Sequence, residues 1–565
     1  LIVAEAVGRT LAALGADVAF GVVGSGNFHV TNALIAGGVR FVAARHEGGA
    51  ATMADAYART RARDGGFGVL SVHQGPGLTN AMTGITEAAK SRTPLVVLAA
   101  ETTSERSNFW IDQSALAAAV GAVPLRIGSA ASAVEDVGRA WLTAVGQRRT
   151  VLLSMPLEVQ AAEYEGPDPA GSARAWRTTS AIYAAPPAAP PAASPGSIAA
   201  LADILSAAHR PVFIAGRGAM LTDAGEALRM LAERCGALLA TSAVARGLFG
   251  GDPFDLDVSG GFATPVAAEL IRGADLIVGW GCSLNMWTLR HGTLVGTGAT
   301  VVQVDVEPEA LGAHQAIRLG VAGDAGVVAR ELGQSVEPSP GYRSPGLAER
   351  LAREARWRDV PYDDASTFGD ASDGTPRIDP RTLSIALDDL LPRERTVAVD
   401  SGNFMGYPVM YLDIPDVQGL VFTQAFQSIG LGLATAIGAA VARPDRLTVA
   451  ALGDGGALMG VAELDTAVRL GLGLLVVVYN DEAYGAEVHH FGPHGYPLGT
   501  VTFPETDIAA IARGFGCEGV TVRRREDLAA VSDWLAGPRD RPMLVDAKVT
   551  ADRPSWWLEE AFRGH

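Results

Sequence analysis

Cysteine is scarce: Cys235, Cys282 and Cys517 are the three thiols in 565 residues, odd in number and far apart. That spacing excludes a disulfide framework and a thiolate metal site and fits a reducing cytoplasm, and no cysteine is a candidate nucleophile. Basic charge is also in deficit, with 45 Lys and Arg against 62 Asp and Glu and a formal net charge of −17. Nucleic acid and anionic membrane surfaces need basic patches to release counterions, so neither is expected as a partner. Apolar runs break at Gly, Asp or Arg before the ~18 residues of a spanning helix, and the first residues lack a charged-then-apolar signal pattern. Leu1 is not a start methionine, so further N-terminal sequence is expected before it. No strand leads into Gly-x-Gly-x-x-Gly with an acidic residue at the right distance, which removes a plain dinucleotide-binding dehydrogenase.

What is present is a 48% hydrophobic, 19% charged chain, long enough for about three domains. Apolar strands alternate with Ala-rich helical stretches, the pattern of α/β sheets. The Ala/Pro stretch Ala184–Ser197 reads as a stiff linker, and Glu337–Asp373 is rich in Pro, Gly, Ser and charge. These breaks divide the chain into 1–165, 196–335 and 379–565, three doubly wound parallel-sheet domains. The first and last share a layout suggestive of duplication. Gly68–Val72 enters His73-Gln74-Gly75-Pro76-Gly77, and Thr448–Leu452 enters Gly453-Asp454-Gly455-Gly456.

The second of these turns pairs with Asn480-Asp481, which ends the apolar strand Leu474–Tyr479. In a β-α-β unit both strand ends lie side by side, so their oxygens can share one Mg²⁺ while backbone N–H groups of the Gly-rich turn cradle a diphosphate. Glu47, in Arg45-His46-Glu47-Gly48-Gly49-Ala50, stands where the strand Val39–Ala43 hands over to the helix Ala51–Arg59. Position alone would make it a helix-capping carboxylate.

Taken with Gln74-Gly75-Pro76-Gly77-Leu78-Thr79-Asn80 and Gln427-Ser428-Ile429-Gly430, these segments give the chain another reading. From end to end it resembles the thiamine diphosphate enzymes of the acetolactate synthase, benzoylformate decarboxylase and benzaldehyde lyase superfamily. The resemblance implies a pyrimidine-binding, a central and a diphosphate-binding domain, in that order. It implies Mg²⁺ on Asp454, the Asp481 side chain and the Ala483 carbonyl, although most relatives carry Asn where Asp481 stands. Gly453, Gly455, Gly456, Tyr484 and Gly485 line the diphosphate, with Gly402, Asn403 and Phe404 as further contacts. Glu47 would hydrogen-bond the aminopyrimidine ring, so that the neighbouring exocyclic nitrogen acts as base. The Gln427 carbonyl would accept from the same ring, and Ile429 would wedge between the two cofactor rings and bend them.

On the substrate side, Ser25 and His73 fall where benzoylformate decarboxylase has its catalytic serine and histidine. Gln113 lies near a glutamine of carboligating relatives, with Asn108 as the competing register. Glu487 and His490 are expected to shape the substrate pocket, because adjacent His489 and His490 point apart and make a poor zinc pair. Acetolactate synthases have a tryptophan near His490. Bound FAD is not expected, since Gly281-Cys282-Ser283-Leu284-Asn285-Met286-Trp287 replaces the flavin segment of acetolactate synthases. The resemblance further implies a homodimer as the smallest active unit, assembled as a homotetramer by family precedent, each cofactor lying between two subunits. The expected chemistry is decarboxylation of a 2-oxo acid with carboligation to an aldehyde or ketone acceptor; the alternative is a non-ligating 2-oxo acid decarboxylase. Intact Glu47, Asp454 and Ile429 speak against an inactive cofactor-binding subunit.

Overall fold

The computed structural model describes residues 1–183, 192–367 and 375–561 and builds them on three six-stranded, all-parallel sheets. The first holds β1 (Val18–Gly21), β2 (Arg40–Ala43), β3 (Gly68–Val72), β4 (Leu95–Glu101), β5 (Val123–Arg126) and β6 (Thr150–Pro156), in the order β2-β1-β3-β4-β6-β5. The second holds β7 (Pro211–Ala215), β8 (Leu238–Thr241), β9 (Asp255–Val258), β10 (Leu276–Trp280), β11 (Thr300–Asp305) and β12 (Leu319–Ala322), ordered β12-β11-β10-β7-β8-β9. The third holds β13 (Arg395–Val399), β14 (Leu420–Phe422), β15 (Leu447–Gly453), β16 (Leu474–Asn480), β17 (Glu518–Val522) and β18 (Met543–Lys548), ordered β14-β13-β15-β16-β18-β17.

Counted within each domain, the first and third orders are the same, and the central one is the order of dinucleotide-binding folds. Central strands such as β3, β10 and β16 are buried along their whole length, which is why they read as unbroken apolar runs. In the central sheet, Gly216 and Gly218, in the turn after β7, donate their N–H groups to the carbonyls of Trp280 and Gly281, both at 2.9 Å. Among the described residues no helix is long and apolar enough to cross a membrane.

Two readings of the connections need correction. The linker Ala184–Ser197 lies mostly outside the described residues, but its end is helical: Ser194 caps Pro195–Ala207 by accepting from the Ser197 N–H. The segment Glu337–Asp373, of which residues 368–374 are not described, contains the helix Pro345–Glu354, opened by Ser344 in the same way. In both, a Ser N-cap followed by Pro at the first helical position starts a helix where composition reads as a break.

The first and third domains share one core. Helix α1 (Glu47–Arg61) lies between α2 (Pro76–Lys90) and α3 (Gly432–Ala442), and a continuous apolar cluster runs from Phe20, Met53 and Leu70 to Leu433, Ile437 and Val476. Small residues permit the close approach: a Cβ on Gly438 would sit 2.3 Å from the Met53 carbonyl oxygen, and one on Gly84 would sit 2.7 Å from Ala51 Cβ. Inside this interface Arg59 pairs with Asp55 and Glu87, each at 2.7 Å, and both acids are fully buried. Stranding one charge of such a cluster costs about 3–5 kcal/mol.

Candidate active site

Glu47 is the first residue of α1, half-buried, and its carboxylate accepts a hydrogen bond from Asn80 Nδ2 at 3.1 Å. The turn into α1 is fixed from the third domain. Glu463, 3% exposed, accepts the backbone N–H groups of Arg45 and His46 at 3.1 and 3.0 Å, and its side chain fills the space where Gly49 has no Cβ.

His73 follows β3 and faces the turn after β1. Its Nε2 lies 3.3 Å from Ser25 Oγ, and its Nδ1 lies 2.9 Å from the Gln74 carbonyl oxygen. A carbonyl only accepts, so Nδ1 carries the proton; the neutral ring then offers Nε2 as acceptor to the Ser25 hydroxyl. Gly24 allows this approach, because a Cβ there would sit 2.4 Å from the imidazole. Gly77 connects the two groups: its Cβ position is 3.0 Å from His73 Cβ and 3.6 Å from Glu47 Oε1. Phe109 meets the imidazole edge-on, with ring centroids 5.4 Å apart.

Gln113 does not join this cluster. It is 3% exposed, donates to the Ala100 carbonyl at 2.7 Å and accepts from Ser154 Oγ at 3.0 Å, tying the ends of β4 and β6 together. Both ends of its amide are engaged in the core, so the reading that puts it beside a bound intermediate is corrected. The exposed loop holding Asn108 and Phe109 is the part that lies against Gly75 and His73.

In the third domain, Asp454 opens the short helix after β15 and Asp481 follows β16. Burial pushes the Asp454 carboxyl up to about 6, with the Glu482 charge adding to it. Burial and the neighbouring Asp454 push Asp481 up to about 7, against a hydrogen bond from Asn403. A buried and a half-buried acid facing one another gain from a cation between them, and hard oxygen donors suit Mg²⁺. Asn403 Oδ1, buried with no partner among the described residues, adds an unused oxygen beside them. Space is kept open by glycine: a Cβ on Gly485 would sit 2.3 Å from Asp481 Oδ2, and one on Gly455 would sit 2.5 Å from the Tyr484 ring. Gly453 lies against Phe404 in the same way, at 3.2 Å. Glu482 adopts φ +59° just before Ala483, while Phe503 N–H takes the Glu482 carbonyl and Tyr484 N–H goes to Val501, so neither bond uses the Ala483 carbonyl. Among the described residues no three His, Cys, Asp or Glu side chains converge on a metal position; a metal on this pair of carboxylates would call on backbone oxygen for the rest.

Asp400, at the end of β13 and absent from the sequence-based candidates, organises the loop that follows β14. Its carboxylate accepts N–H groups from Ser401 (2.8 Å), Gly430 (3.0 Å) and Leu431 (3.3 Å), and a Cβ on Gly456 would sit 2.4 Å from Oδ2. Burial pushes this carboxyl up to about 6 in spite of those bonds. Gln427 stands at φ +65°, a left-handed conformation that costs a non-glycine residue about 1–3 kcal/mol, and Ile429 is half-buried. Gly402, at φ +141°, precedes Asn403 and Phe404. Glu487 and His490 lie half-buried on Gly485–Phe491, where His490 packs edge-on against Phe491 with centroids 4.7 Å apart. Among the described residues no hydrogen bond joins Glu47 to Asp454 or Asp481 within the chain.

Comparison with known proteins fits this division into two half-sites. Three family models match: "Thiamine pyrophosphate enzyme, N-terminal TPP binding domain" at residues 2–120, the central domain at 198–332, and the C-terminal TPP binding domain at 400–547. A sulfoacetaldehyde acetyltransferase from Alcaligenes xylosoxydans is 28% identical, over 93% of this chain and 88% of that protein. An acetolactate synthase large subunit from Parasynechococcus marenigrum is also 28% identical, over 95% and 85%. A solved structure, a thiamine diphosphate-dependent 4-hydroxybenzoylformate decarboxylase from Rhodococcus jostii, shares the fold with TM-score 0.79 and 23% identity, over 97% of this chain and 99% of that one. With all three of its domains matched, in order and over most of its length, the chain belongs to the thiamine pyrophosphate enzyme family.

Proposed function

We propose that the chain is a thiamine diphosphate- and Mg²⁺-dependent decarboxylase of a 2-oxo acid, working as a homodimer or a pair of dimers. The observation that carries the reading is the Ser25–His73 hydrogen bond at 3.3 Å, with His73 and Glu47 both lying against Gly77. Thiamine diphosphate, when bound, supplies a nucleophilic carbon and an electron sink for the loss of CO₂. Asp454, Asp481 and the Ala483 carbonyl would hold the metal, and the glycine cradle would admit the diphosphate. Glu47 would exchange a proton with the pyrimidine ring nitrogen. Ile429 and the Gln427 carbonyl would orient the rings. The Ser25 hydroxyl holds the substrate carboxylate, and His73 Nε2, the acceptor nitrogen of the neutral ring, takes up a proton from solvent and passes it on to complete the aldehyde. Glu487 and His490 form the outer wall. The pyrimidine-facing residues stand on the first domain and the metal-facing residues on the third, and in the proposed dimer each site draws one set from each subunit.

Carboligation is the second reading, supported by relatives named as an acetyltransferase and an acetolactate synthase. In it an aldehyde or ketone acceptor takes the place of the proton. A panel of 2-oxo acids, with and without acceptors, separates the two. CO₂ with free aldehyde, falling about 10²-fold in His73→Ala, supports the decarboxylase. Ligated product that persists in His73→Ala supports ligation, and no CO₂ from any acid sinks both.

A further inference from the structure

We infer that Glu87, on the first domain, is a positioning residue for the cofactor-facing loop of the third. The inference rests on the reading that Gln427 and Ile429 meet thiamine diphosphate. Glu87 is fully buried near the C-terminal end of α2. Its Oε1 accepts the Ala425 N–H at 3.1 Å, and its Oε2 accepts the Phe426 N–H at 2.6 Å. These are two consecutive backbone donors immediately before Gln427, supplied from 338 and 339 residues away. Arg59 holds the carboxylate in place, giving Nη2 to Glu87 at 2.7 Å, and reaches the loop itself through Nη1 to the Phe422 carbonyl at 3.2 Å. Burial opposes the charge on Glu87, but the guanidinium and the two N–H groups outweigh it and leave its carboxyl below the usual range.

The loop is thus gripped at three places. Arg59 takes Phe422, Glu87 takes Ala425 and Phe426, and Asp400 takes Gly430 and Leu431. Gln427 to Ile429 lie between the last two grips, with Gln427 in its left-handed conformation. Charge-assisted bonds to consecutive donors hold that turn without touching the cofactor. The same helix α2 carries Asn80, which holds Glu47, near its other end. In a dimer whose sites lie between subunits, one helix therefore braces the pyrimidine half of one site and the loop of the other.

The test is Glu87→Gln in the full-length protein, alongside the wild type. Expected are a thiamine diphosphate Kd raised at least tenfold by calorimetry and faster deuterium uptake in residues 423–431. Uptake in β13, β15 and β16 and the substrate KM at saturating cofactor should stay unchanged. Unaltered Kd and loop exchange overturn the inference, as does uptake that rises evenly through both domains, the mark of a merely structural cluster. If Glu87→Gln does not fold, Glu87→Asp, which keeps a carboxylate beside Arg59 but is one methylene too short to hold both loop N–H groups, is read by the same criteria. A wild type that binds no thiamine diphosphate defeats the functional reading instead, so the two failures are distinct.

Discussion

The turn after β3 and the turn after β15 occupy the same place in two sheets of the same strand order, yet they hold opposite chemistry. Each follows the third strand of its domain and opens a helix. The first presents a hydrogen-bonded imidazole and a hydroxyl, with Glu47 braced by Asn80 close by. The second presents the buried Asp454 beside Asp481, both carboxyls pushed up by burial, with the Asp454 charge adding to the shift of Asp481. Topology supplies a strand end and a helix N-terminus; side-chain identity decides whether the place takes a reacting ring or a charged tail.

The largest effects should come from one acid in each half. Glu47→Gln is expected to lower kcat by about 10²–10⁴-fold while thiamine diphosphate still binds, since only proton exchange is lost. Asp454→Asn is expected to abolish Mg²⁺-dependent cofactor binding by calorimetry. Equal loss of binding in both variants would erase the distinction between the halves.

A smaller effect separates the turns by their packing. Gly456→Ala drives a Cβ to 2.4 Å from Asp400 Oδ2 and should cost about 1–3 kcal/mol in denaturant unfolding. Gly77→Ala, at 3.0 Å from His73 Cβ, should cost less and appear mainly in turnover. The reverse order would mean that the third-domain turn is the more yielding of the two.

A third contrast, no larger than that of Gly456→Ala, is the pH dependence of the metal-free chain. The folded Asp481 carboxyl takes its proton near pH 7, whereas the ordinary value is 3.8. A raised carboxyl holds its proton in the folded state after the unfolded chain has released it, so its stabilising contribution is full below about pH 4 and is lost as pH rises toward 7. In chelator, Asp481→Asn should therefore be more stable than the wild type by about 1–3 kcal/mol at pH 8, with the gap closing near pH 4. Denaturant unfolding at both pH values checks it, and Mg²⁺ should reverse the ranking at pH 8.

Much of this was legible beforehand. Buried parallel strands gave unbroken apolar runs, so β3, β10, β15 and β16 stand within a residue or two of where the sequence places them. Ser25 meets His73, and Glu47 and His73 both lie against Gly77; Asp481 stands beside Asp454 and Asn403. The failures are physical too. Gln113 carries a side chain equally suited to a pocket or a core, and only its two partners, Ala100 and Ser154, distinguish them. Asp400 had a local signal, an acid closing a buried strand beside Gly402. Glu87 and Glu463 had none, because their partners lie hundreds of residues away.

By itself the sequence determined the three-sheet α/β organisation, the acidic turn beside Asn480-Asp481 and the glutamate at the head of α1. Periodicity, glycine and carboxylate placement at strand ends are local properties that any fold must honour. Tertiary structure alone decided that Ser25 and His73 form a hydrogen-bonded pair, that Gln113 belongs to the core, and that Asp400, Glu87 and Glu463 hold the loops. Those outcomes depend on which backbone donors are buried opposite a carboxylate, and burial brings together groups that the chain keeps far apart.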